Sequence, residues 1–100
     1  MNRQPVYYAA FFTTTFTSME EVRTAAPEAL AEHLARSRQL AAEGVLLMAG
    51  AFLDHPGEPV STMGVLTTRE AAEAYAEGDP FVRNGMVSEW HIRPWANILN

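Results

Sequence analysis

Large apolar and aromatic side chains alternate from the start of the chain. Pro5 to Phe12 is aromatic and β-prone and predicts a first strand. Val6, Tyr8, Ala10 and Phe12 fall on one of its faces, and Tyr7, Ala9 and Phe11 on the other. The cluster Thr13-Thr14-Thr15 ends or prolongs it. Met19 to Arg23 has the makings of a helical turn, and the main helix is expected from Pro27 to Glu43. Proline suits a first helical position, Thr24 is a candidate cap upstream, and Gly44 fits a left-handed C-terminal position. Leu30, Leu34, Leu40 and Ala41 supply the apolar stripe.

Val45 to Leu53 is almost continuously apolar and reads as a strand buried on both faces. Asp54 to Pro59 is a turn by composition, and Val60 to Thr67 a third strand. A second helix is expected over Arg69 to Glu77, with Thr68 as cap and Ala72, Tyr75 and Ala76 inward; Gly78-Asp79-Pro80 stops it. Met86 to Arg93 forms the last strand, Pro94 ends it, and Trp95 to Asn100 reads as a tail packed on a neighbour.

The order is β-α-β-β-α-β, which predicts a single α+β domain over residues 1–100: a ferredoxin-like antiparallel sheet with two helices on one face. The first two strands look apolar on both sides, and two short helices cover only one. The simplest cover for the other face is a second copy of the chain, so a homodimer or larger homo-oligomer is expected.

Composition narrows the function classes. The chain has 100 residues, 48% of them hydrophobic, and a net charge of −5. It has no cysteine, which excludes disulfides, zinc–cysteine sites and thiol nucleophiles. The acidic balance argues against a sequence-independent nucleic-acid partner. No apolar run reaches bilayer-spanning length, so no membrane role is expected. Met1 to Pro5 lacks the pattern of a secretion signal, and a cytoplasmic location is the expectation.

Topology places the candidate chemistry. His33, three residues after Leu30, points toward the apolar stripe, with Ser37 one turn below. Asp79 follows the second helix and arrives at the same end of the sheet. A histidine and an acid meeting there would form a pair with a fixed imidazole tautomer, suited to general acid–base work. Each residue also has a plainer reading: an inward histidine satisfied in the core, and an aspartate that simply initiates a turn before Pro80. Asp54 and His55 read as a surface turn. His91 alternates with Trp90 and faces solvent or a partner copy. Ser37 lacks the glycine elbow of a nucleophile. No pair among the acids and histidines has metal-ligand spacing, no phosphate loop appears, and no cofactor is expected.

Two blocks carry a resemblance. His33-Leu34-Ala35-Arg36, Leu40 and Glu43-Gly44-Val45-Leu46-Leu47-Met48-Ala49-Gly50 resemble the YciI-like (YCII-related) pattern HLxxLxxLxxEGxLLxAGP. Glu70 to Val82, followed by Gly85, resembles that family's EAxxxAxxDPFVxxG stretch, and Ile92-Arg93-Pro94-Trp95 its closing signature. The resemblance implies a ferredoxin-like domain of the dimeric α/β-barrel superfamily, with a candidate active site on His33 and Asp79. Leu30 stands where the family often has arginine, Ala51 where it has proline, and Ser37 where it has leucine.

Relatives are described as lyases, dehydrochlorinases or isomerase-like enzymes. The expected function is therefore a small cofactor-independent enzyme performing proton-transfer lyase or isomerase chemistry on a small cyclic or aromatic substrate. His33 and Asp79 are its candidate catalytic pair, and Ser37, Met48, Tyr75 and Phe81 its candidate substrate contacts. The alternative is a non-catalytic dimeric ligand-binding or accessory module; a haem- or quinone-handling monooxygenase of the same superfamily is a third.

Overall fold

Strands β1 (Val6–Thr14), β2 (Leu46–Ala51), β3 (Ser61–Leu66) and β4 (Val87–Ala96) pair antiparallel in the order β2-β3-β1-β4. Helices α1 (Met19–Ala25), α2 (Pro27–Ala42), α3 (Arg69–Glu77) and α4 (Pro80–Arg83) fill the connections. This is the ferredoxin-like arrangement, seen in a computed structural model that describes residues 5–99. Met1 to Gln4, most of the stretch tested for a secretion signal, and Asn100, the last residue of the expected tail, lie outside the described residues.

The core forms on one face of β1, where Ala10 and Phe12 meet Leu46, Leu66 and the Ala72, Tyr75 and Ala76 side of α3. Small alanines let α3 lie close to the sheet, and the Thr68 hydroxyl caps it by accepting from the Ala71 N–H at 3.0 Å. A smaller cluster of Phe16, Val22, Ala26 and Phe81 joins α1 to α4. Ala72, Tyr75 and Ala76 of α3 pack on this face. The other face presents Tyr7 and Phe11 of β1, Met63 of β3, and His91 and Trp95 of β4, as their pairing registers require.

Several elements depart from the sequence expectation. Met19 to Ala25 is a helix of its own, capped by the Ser18 hydroxyl. Pro27 disfavours helical backbone at Ala26, whose φ of −138° turns the chain into α2. Thr24 does not cap α2: its hydroxyl donates to the Glu20 carbonyl within α1. The Asp79-Pro80 stop becomes the start of α4. Gly44 does take the left-handed conformation after α2, with φ of 75°.

β2 is not buried on both faces. It is an edge strand with a bulge between Leu46 and Met48, and Leu47 and Met48 are 45% and 60% exposed. It has one strand neighbour, and α2 does not lie down on it: no residue of α2 is fully buried. The last strand also runs past Pro94 to Ala96. β4 is the opposite edge, where proline's missing N–H is tolerated. The tail is therefore shorter than expected, and Ile98 and Leu99 are exposed in the single chain.

Candidate functional site

Because α2 stands off the sheet edge, a largely apolar hollow of about 390 Å³ opens beneath it. Phe12, Leu30, Leu34, Leu46 and Phe81 form much of its wall. His33 lines the hollow from the second turn of α2, and Asp79 from the α3–α4 junction.

The two side chains meet, His33 Nδ1 lying 2.5 Å from Asp79 Oδ1. The other carboxylate oxygen is already committed: Asp79 Oδ2 accepts from the backbone N–H groups of Phe81 at 3.0 Å and Val82 at 3.3 Å, capping α4. The cap pins the carboxylate, and the pinned carboxylate aims the ring. Asp79 is 3% exposed, whereas the His33 side chain retains 27%. A neutral imidazole that donates from Nδ1 to a carboxylate carries its lone pair on Nε2. Among the described residues Nε2 has no hydrogen-bond partner, and His33 borders the hollow. Phe81 sets its ring edgewise on the imidazole with centroids 5.4 Å apart.

Ser37 and Tyr75 form a second polar point. Their hydroxyls are 3.0 Å apart, and both residues line the hollow. Burial pushes the Tyr75 phenol above its ordinary value of 10.0; the Ser37 hydrogen bond opposes this, the Asp79 charge adds to it and Arg36 opposes it. Tyr75 therefore stays protonated, and a donor, through neutral pH.

Arg36 fixes this tyrosine in place. Its guanidinium donates to the carbonyls of Tyr75 at 2.9 Å and Ala74 at 2.7 Å, a cation placed at the C-terminal end of α3. Glycine at 78 leaves room for it, since a Cβ there would lie 2.6 Å from Arg36 Nη2. Gly64 does the same for the ring, because a Cβ would lie 3.3 Å from Tyr75 Cε2.

Met48 lines the hollow from the exposed edge strand, and Arg38 stands at the lining as an exposed cation with no ion-pair partner among the described residues. Sequence reasoning passed over Arg36, Arg38, Gly64 and Gly78. Arg36 carried a usable signal, lying three residues after His33 on adjoining helical surface. Asp54 and His55 are absent from the hollow: His55 lies on the surface, 3.4 Å from Asp54 and 3.1 Å from Glu58. His91 stacks on Phe11 at 5.0 Å on the far side of the sheet. Among the described residues no three His, Asp or Glu side chains gather as metal ligands.

Several solved structures share this fold. The 5-chloro-2-hydroxyhydroquinone dehydrochlorinase TftG from Burkholderia phenoliruptrix AC1100, in complex with 2,5-dihydroxybenzoquinone, is 17% identical with a TM-score of 0.62; the match covers 89% of this chain and 92% of that one. PA3566 from Pseudomonas aeruginosa is 18% identical with a TM-score of 0.54, over 96% of both chains. A candidate antibiotic biosynthesis monooxygenase from Nitrosomonas europaea is 13% identical with a TM-score of 0.56, over 98% and 95%. These likenesses speak to fold. No curated protein matches the sequence. The YCII-related domain matches residues 10–96, from the middle of β1 to the end of β4 and across both blocks that bring His33 and Asp79 together, and on that match the chain belongs to the YCII-related family.

Proposed function

We propose that the protein is a cofactor-independent enzyme that moves a proton on a small cyclic or aromatic substrate, in lyase or isomerase chemistry, with His33 as the proton-transfer group and Asp79 as its positioning partner. The observation that carries this reading is the divided imidazole: Nδ1 is held by a capped carboxylate, and Nε2 is unpartnered beside an apolar hollow. In an elimination, Nε2 takes a proton from the substrate, the freed electron pair forms the new double bond, and the leaving group departs with its bonding electrons. The net loss is one proton and one anion, with no change of oxidation state. In an isomerisation the same nitrogen returns the proton at another atom. A group so placed contributes about 10²–10⁴-fold in rate.

The hollow is at the small end of ligand pockets, which run from about 300 Å³ upward, and suits a single ring. Dehydrochlorination by the structural neighbour TftG, and the quinone bound to it, support the choice of a halogenated, hydroxylated ring as first substrate. Chloride release from 5-chloro-2-hydroxyhydroquinone and a panel of chlorinated dihydroxybenzenes tests the reading. Catalysed release from at least one compound is expected; only the buffer rate across the panel would overturn it.

We also propose that the enzyme works as a homodimer closed through the open sheet face. Phe11, Met63, His91 and Trp95 supply an aromatic-rich surface there, and Trp95 is 50% exposed in the single chain. Sedimentation should report twice the 11.1 kDa chain mass. Phe11→Glu should give the single chain, because each copy would bring a charge into an apolar contact. A wild-type monomer at micromolar concentration would sink the dimer.

A further inference from the structure

The Ser37 and Tyr75 hydroxyls hold more donors than they use. Two O–H groups 3.0 Å apart share one hydrogen bond, which consumes one of their two protons. Neither side chain makes another hydrogen bond among the described residues, and Tyr75 is only 3% exposed. One donor is thus left at the wall of the hollow, on Tyr75 or on Ser37 according to which hydroxyl donates to the other, and the tyrosine of the pair is held by Arg36 and by contact with Gly64.

We propose that this hydroxyl pair recognises the substrate by donating a hydrogen bond to a neutral oxygen on the ring, a hydroxyl or a carbonyl. The proposal rests on the hollow being the substrate pocket and adds what the substrate must carry. The His33 and Tyr75 rings are tilted neighbours with centroids 6.3 Å apart, and both residues and Ser37 line the hollow, so the imidazole and the hydroxyl pair border the same space. An oxygen is called for because the surrounding wall is apolar: Phe12, Leu46 and Phe81 offer a ring area but no direction, whereas the pair offers direction. A neutral oxygen is called for because the Asp79 carboxylate acts on the same phenol and disfavours a second negative charge there. Ser37 and Tyr75 are specificity residues in this scheme, separate from the proton-transferring His33.

The test is a ratio of affinities. Binding of 4-methylphenol and of its near-isostere 1,4-dimethylbenzene is measured by amide NMR titration, in the wild type and in a Ser37→Ala/Tyr75→Phe variant. The two ligands differ by one hydroxyl-for-methyl exchange, so general apolar burial cancels between the proteins. The variant should favour the dimethyl compound about threefold to tenfold more than the wild type does, the worth of one neutral hydrogen bond. Shifted amides should cluster on α2 and β2. The same ratio in both proteins, shifts elsewhere, or no binding of either probe up to its solubility would overturn the proposal. Should the double variant not fold, Tyr75→Phe alone is read by the same ratio, with a shift of about threefold expected. Binding needs no turnover, so a protein that shows the shift yet releases no chloride would retain the recognition point and lose only the proton-transfer reading.

Discussion

Asp79→Asn should cut turnover by about 10²–10⁴-fold and leave the fold in place. Asparagine keeps one carbonyl oxygen, which can still accept from the Phe81 and Val82 N–H groups and start α4. What remains to face His33 Nδ1 is then an amide NH₂, a donor. The imidazole must accept at Nδ1, its proton moves to Nε2, and the nitrogen beside the hollow ceases to be a base. Two measurements check this: the ring-nitrogen NMR of His33, which should switch tautomer, and the initial rate of chloride release. His33→Ala should lose a similar factor, and the double variant little more, because the two residues act as one unit. Full turnover in either single variant would remove the pair from the chemistry.

Phe81→Ala should cost about 3–5 kcal/mol of stability, read from the denaturant midpoint at unchanged slope. Phe81 is 8% exposed and sits where three things meet: the α1 cluster through Phe16 at 6.3 Å, the imidazole at 5.4 Å, and the first turn of α4. Its removal would enlarge a hollow that is already open, and α2, with no buried residue of its own, has little packing with which to collapse into the gap. Against a typical domain stability of about 5–15 kcal/mol the variant would be marginal. A loss below about 1 kcal/mol would mean that α2 does close down, and that the standoff is not an intrinsic feature of the fold.

β1 was readable because the period-two pattern of Val6 to Phe12 matches the two faces of the sheet it joins, and α3 because Thr68 and its alanines agree on one register. The short helices were not. α4 has four residues, too few for a period, and is held by the Asp79 side chain rather than by propensity. β2 misled because an unbroken apolar run is the same in a central strand and in an edge strand; pairing order settles that, and pairing order is a long-range property. His33 and Asp79 were legible as residues that topology carries to one end of the sheet. The Ser37–Tyr75 contact and the Arg36 hold on the α3 backbone were not, since both span 38 or 39 positions with no local signature.

Asp79 opens α4 with one oxygen and steers the imidazole with the other. Any redesign of this site meets that double duty at once: lengthening the acid to glutamate would displace the carboxylate from the amides, the ring, or both. A change in what the hollow accepts is therefore easier at Leu30 and Leu34, which shape the wall and carry no structural duty of this kind.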